Sequence, residues 1–141
     1  MQKIFVLEND KEAQEMLLYA LQVSGLDSVG FENGANLFDN IKTDMCDLII
    51  LESELHLESG FEILENLKSN PDTKEISVIM LSANKSKLDK TKALDLGADD
   101  YITKPFSTLE FMLRIKSILR RMSQKNKSFL VHESISLDTQ R

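Results

Sequence analysis

The chain has 141 residues, 42% hydrophobic and 28% charged, with a formal net charge of −6. That is enough for one ordinary domain with a proper core, and it excludes a disordered chain. The negative balance argues against direct nucleic-acid binding by the whole surface. The single cysteine, Cys46, excludes an internal disulfide and fits a reducing, cytoplasmic setting.

In chain order, short apolar runs alternate with helical patterns. Ile4 to Leu7 is a run of four, too short for a signal-peptide core, and no segment reaches the ~20 apolar residues of a membrane span. From Asp10 to Ser24, Ala13, Met16, Leu17, Ala20 and Leu21 recur at helical spacing, with Asp10 as N-cap and Gly25 as stop. Ser28 to Phe31 is a weak strand and Asn33 to Lys42 a weak helix. Leu48 to Leu51 is a fully apolar strand, preceded by Cys46, which has no activating histidine nearby in sequence and reads as structural. A short polar connection leads to a helix over Ser59 to Ser69, with Phe61, Leu64 and Leu67 inward. Ile76 to Leu81 is the fourth strand, Lys85 to Leu96 a polar helix, Asp100 to Thr103 the fifth strand, and Phe106 to Arg121 a long final helix. Residues 123–128 are polar and read as a linker; 129–141 resume a weak strand pattern.

Strands alternating with helices predict βαβ units and a parallel sheet. The continuously apolar runs are those of strands covered on both faces. The expected class is therefore a doubly wound α/β sandwich. In such sheets, ligands bind beyond the carboxyl ends of the strands. The first strand is succeeded by Glu8, Asn9 and Asp10, the third by Glu52, the fourth by Ser82, and the fifth by Lys104 and Pro105. Each alone reads equally well as a cap or a solvated turn. Together, acids, a hydroxyl and a lysine suit a site for phosphate and a divalent cation. There is no glycine-rich phosphate loop after the first strand, no GxSxG elbow, and no metal spacing around His56 or His132.

The stretches GADDYITKPF, Gly97 to Phe106, and SGFE, Ser59 to Glu62, resemble the receiver domain of bacterial two-component response regulators. The resemblance runs from Lys3 to Arg121. It implies a flavodoxin-like, five-stranded parallel sheet of order 2-1-3-4-5 with five helices, in a receiver spanning 1–122. DDYITKPF and the later LRR are similar to the subfamily whose receivers precede a winged-helix DNA-binding domain; 123–141 would be a linker and the start of that domain. The resemblance places the phosphoacceptor at Glu52, the acidic metal pocket at Glu8, Asn9 and the Glu54 carbonyl, and the switch at Ser82, Tyr101, Lys104 and Pro105, the last after a cis peptide bond. It implies a sensor histidine kinase as donor and DNA as target. It also implies a homodimer through the fourth helix, fifth strand and fifth helix. The centre of that face would be Leu94 and Met112, and its charge pairs Lys90 with Glu110 and Asp100 with Arg114.

Two departures matter. The family's acceptor aspartate is Glu52 here, and its metal-binding aspartate is Asn9. An extra methylene moves the carboxylate outward by ~1.5 Å, whereas in-line attack needs reacting atoms within about 3–3.5 Å. Glu52 is thus expected to accept poorly and to act as a fixed partial mimic, carrying −1 against about −1.5 to −2 for a phosphoryl group, with its oxygens accepting from Ser82 and pairing with Lys104. Asn9 removes a charge from the cage and predicts no cofactor beyond weak magnesium binding. A conventional magnesium-dependent acceptor and a silent dimerisation scaffold are the alternatives. A deliberate phosphomimetic substitution would also produce Glu52, although Asn9 favours natural degeneration of the site.

Overall fold

The computed structural model describes residues 2–139, with side chains described through residue 124. Its strands are β1 (Lys3–Leu7), β2 (Asp27–Phe31), β3 (Leu48–Glu52), β4 (Glu54–Leu55), β5 (Glu58–Ser59), β6 (Ser77–Ser82) and β7 (Asp100–Thr103). Its helices are α1 (Lys11–Val23), α2 (Gly34–Ile41), α3 (Gly60–Ser69), α4 (Lys87–Asp95) and α5 (Thr108–Thr139). Five strands form one parallel sheet in the order β2-β1-β3-β6-β7, which is 2-1-3-4-5 when only its own strands are numbered.

The apolar runs are explained by this arrangement. Alternate residues of a strand point to opposite faces, and here both faces are covered. Phe5, Leu7, Ile49, Leu51, Val78 and Met80 pack under α2, α3 and α4. Ile4, Val6, Leu48, Ile50, Ile79 and Leu81 pack under α1 and α5. Cys46 is buried at the end of the first layer, and burial pushes its thiol up to about 12, so it is the inert, structural residue expected.

The helix caps agree with the local sequence. Asp10 accepts from Ala13 N at 3.2 Å, Asn33 from Asn36 N, and Ser86 from Asp89 N. Gly25 takes a left-handed φ of 81° just beyond the C-cap of α1, a conformation that costs glycine little.

Two stretches differ from expectation. The connection after β3 is a miniature antiparallel hairpin, β4 with β5, whose turn places Leu57 at φ 64°. Beyond Arg121 the backbone stays helical to Thr139, where a linker and strand pattern were expected. That stretch contains no glycine or proline, so nothing in its backbone chemistry ends the helix.

Candidate functional site

The carboxyl ends of β1, β3, β6 and β7 bring the residues after them to one edge. Ser53 N donates to Leu81 O at 2.9 Å and Lys104 N donates to Ser82 O at 2.8 Å, which fixes the strand ends relative to one another. Glu52 closes β3 as its last residue. Gly60 N returns to Ser53 O at 2.8 Å.

Lys104 is the centre of the site. Its Nζ lies 2.8 Å from Glu52 Oε2 and 3.3 Å from Glu8 Oε1. The two carboxylate side chains are 8% and 5% exposed, and Lys104 is 31% exposed. The Glu8 contact is a hydrogen bond. The shorter Glu52 contact is a buried ion pair. Burial pushes the Glu52 carboxyl above its ordinary range; Lys104 pulls the other way, and Glu8 adds to the rise. Burial would lower the Lys104 ammonium, but Glu52 and Glu8 more than offset it and hold the amine above its ordinary value.

Glu8 is held in place by a residue that no motif singles out. Gln14, on α1, donates from Nε2 to both Glu8 O and Phe31 O at 2.9 Å. Gly30 makes room for it: a Cβ there would lie 2.4 Å from Gln14 Oε1. That glycine in an otherwise ordinary strand was the available signal.

The switch residues divide. Tyr101 is buried, and its hydroxyl donates to Asn84 O at 2.8 Å, tying β7 to the loop before α4. The Lys104–Pro105 bond is cis, as the resemblance implied. Ser82 departs from expectation. It is buried and does not donate to Glu52; its Oγ accepts from Ser53 Oγ at 2.7 Å and from Asn84 N at 3.1 Å. The neighbouring serine, inward-facing at 4% exposure, is a partner of that oxygen.

The expected metal-pocket residues are spread between the surface and the Lys104 ion pairs. Asn9 and Glu54 are exposed, Asp10 is spent as a helix cap, and Glu8 and Glu52 are both engaged by Lys104. Among the described residues no three His, Cys, Asp or Glu side chains group so as to hold a metal ion.

On the expected dimer face, Lys90 and Leu94 are exposed. Met112 is not. It is 7% exposed and packs in the α1/α5 layer, because its position on α5 faces the sheet beside Phe111 and Ile115. The exposed apolar residues of that region are Leu88, Leu94, Leu109 and Leu113. Arg114 pairs with Asp100 at 3.0 Å within the chain, and at 3.7 Å with Glu110.

Comparison with known proteins places this geometry. The sequence model of the response regulator receiver domain matches residues 4–116, and the chain belongs to that family, a signalling domain rather than an enzyme. It is 34% identical over 137 residues to the phosphate regulon transcriptional regulatory protein PhoB of Escherichia coli K12, covering 96% of this chain and 60% of that protein. It is 36% identical to the transcriptional regulatory protein CpxR of the same organism, covering 86% of this chain and 50% of that one. The chain thus spans roughly half to three fifths of these relatives. Among solved structures, a response regulator from Chloroflexus aurantiacus superposes with a TM-score of 0.79 at 26% identity, covering 84% of this chain and 98% of that one. The BeF3-activated DrrB receiver domain gives 0.76 at 28%, covering 85% and 98%. No described helix is long and apolar enough to cross a membrane.

Proposed function

We propose that this chain is the receiver of a transcriptional regulator whose output does not depend on phosphorylation, with Glu52 as a built-in partial substitute for a phosphorylated aspartate. The observation that carries the reading is the 2.8 Å pairing of Glu52 with Lys104, the contact through which a phosphoryl group at this edge would be held. The asparagine at position 9, where the family has a metal-binding aspartate, supports it, because phosphoryl transfer to a carboxylate needs its developing charge neutralised. In this reading the receiver pairs with a second copy through α4, β7 and α5, around Leu94 with Lys90, Glu110, Asp100 and Arg114 at its rim. It thereby brings two DNA-binding domains to adjacent half-sites. The Arg114–Asp100 pair would have to open or be shared for those charges to act between copies. A sensor histidine kinase remains a partner by docking rather than by transfer. The place of action is the cytoplasm.

The test is sedimentation mass, for the untreated chain, for the chain with magnesium and acetyl phosphate, and for Glu52→Gln. A dimer in the first two and a weaker one in the variant supports the mimic. A monomer that dimerises only with the donor restores a working phosphoacceptor.

A further inference from the structure

The register of β3 on β6 sets Glu52 opposite Leu81, and one residue further on Ser53 comes beside Ser82. Successive residues of a strand point to opposite faces. Glu52 therefore falls on the side of Leu48 and Ile50, the α1/α5 layer, and Ser53 on the side of Ile49 and Leu51, under α2, α3 and α4. Met80, two residues before Ser82, lies on that second side, and Tyr101 is its partner across β6 and β7. Ser53, Ser82 and Tyr101 thus share one face of the sheet.

On that face their polar groups run in an unbroken chain. Ser53 Oγ donates to Ser82 Oγ at 2.7 Å, and Asn84 N donates to the same oxygen at 3.1 Å. The Tyr101 hydroxyl donates to Asn84 O at 2.8 Å. Tyr101 N donates to Asp100 Oδ1 at 2.8 Å, and Asp100 pairs with Arg114 on α5. Ser53, Ser82 and Tyr101 are all buried, where an unmade hydrogen bond costs most. A serine side chain has three staggered rotamers, and the bond from Asn84 N is a single restraint on Ser82. The bond to Ser53 is the second restraint, and it selects one rotamer. The resemblance gives roles to Ser82 and Tyr101 but none to Ser53.

We propose that Ser53 is a positioning residue of this receiver: its hydroxyl fixes the Ser82 rotamer and, through Ser82 and Asn84, the seat of the Tyr101 hydroxyl. Glu52 makes no such connection, since its carboxylate meets Lys104. The two consecutive residues at the end of β3 serve different parts of the edge, Glu52 the Lys104 ion pair and Ser53 the Ser82–Asn84–Tyr101 chain. A change at Ser53 is felt at Tyr101 and so beside the Asp100–Arg114 pair. This role holds whether or not Glu52 acts as a mimic, because it is read at Tyr101 and not from dimer mass.

The experiment is NMR of the whole chain with 13C-labelled tyrosine rings and 15N-labelled amides. The chain has two tyrosines, and Tyr19, 71% exposed on α1, is the internal control. Ser82→Ala removes the shared acceptor and sets the full displacement of the Tyr101 ring and Asn84 amide signals. Ser53→Ala should reproduce most of that displacement and leave Tyr19 in place. The Asn84 amide should exchange with solvent about fivefold faster, the factor of one ordinary hydrogen bond. Ser53→Thr and Ser53→Val separate the hydroxyl from volume, since the two side chains are nearly the same size. Threonine should keep Tyr101 near its wild-type signal, and valine should displace it as alanine does. A circular-dichroism melt verifies that each variant is folded. Wild-type signals at Tyr101 and Asn84 in folded Ser53→Ala would overturn the proposal, as would equal displacement by threonine and valine. So would Glu52→Gln displacing Tyr101 as far as Ser53→Ala does, which would assign the chain to position 52.

Discussion

Gly60 lies against the backbone of Glu52, so that a Cβ on Gly60 would sit 2.3 Å from the Glu52 carbonyl oxygen and 2.7 Å from Ser53 Cα. Both obstacles are main chain, so neither can rotate away. Gly60→Ala is expected to destabilise the fold by ~1–3 kcal/mol, the range for forced overpacking, despite alanine's better helix propensity. Urea unfolding checks it: a midpoint unchanged from wild type would show that β3 and α3 can separate at no cost.

Lys104→Met removes the one cation shared by Glu8 and Glu52. Breaking a buried pair costs ~3–5 kcal/mol, and the partial exposure of Lys104 puts the expected loss at or below the lower end. The sign with pH is set by protonation. Orphaned Glu52, its carboxyl already raised by burial, can shed its charge by taking up a proton, so the loss should shrink as pH falls from 7 towards 5. Stability measured at both values tests this, and a loss that grew on acidification would contradict it.

The wild-type Glu52 carboxyl has a raised pKa. A raised folded-state value means that the folded chain binds a proton more tightly than the unfolded one. Its contribution to stability is present below the ordinary glutamate range and lost as pH rises through the raised folded value. Glu52→Gln should remove that part of the slope and flatten the stability–pH curve in this window. A denaturation series from pH 4 to 8 measures it, and an unaltered slope would assign the linkage elsewhere.

Ser53 and Ser82 share a buried hydrogen bond of 2.7 Å. Ser53→Ala and Ser82→Ala should each cost ~1 kcal/mol, because each leaves a buried hydroxyl short of a partner. The double variant should cost less than the sum, with a coupling of ~1 kcal/mol in a double-mutant cycle. Simple additivity would mean that the bond contributes nothing.

Leu57 is 92% exposed in a left-handed conformation. A non-glycine residue there carries ~1–2 kcal/mol of strain and this one gains little packing in return. Leu57→Gly should stabilise by up to ~1 kcal/mol, the strain relieved less the extra entropy of glycine. A thermal melt detects it as a raised Tm; a lowered Tm would show that the Leu57 side chain holds the hairpin.

The features legible in the residues alone rest on strong local signals. The runs at Ile4, Leu48 and Ile76 announced buried strands because both faces of the sheet demand apolar residues. The order of the acids, Ser82 and Lys104 along the chain announced one site because parallel strands bring their carboxyl ends together. Other features carry no periodic signal. A two-residue ladder such as Glu54–Leu55 with Glu58–Ser59 is shorter than any pattern. Whether Ser82 turns to Glu52 or to Ser53 depends on ångström-scale distances across the sheet. Met112 and Leu113 are both apolar neighbours on α5, and only the tilt of that helix sends one inward and the other to solvent. The same limit hid Glu58, whose carboxylate accepts from Gly34 N at 3.0 Å and so binds the hairpin to the start of α2.

The buried thiol of Cys46 also makes the chain its own clock. With its proton held to about pH 12 and its sulfur enclosed, it resists alkylation while the sheet is closed. Each alkylation event must wait for the packing around Cys46, just before β3, to open. The rate of labelling by a small haloacetamide therefore counts openings directly, without denaturant. Because Cys46 is the only cysteine, every labelled molecule reports on the segment that enters the strand ending at Glu52.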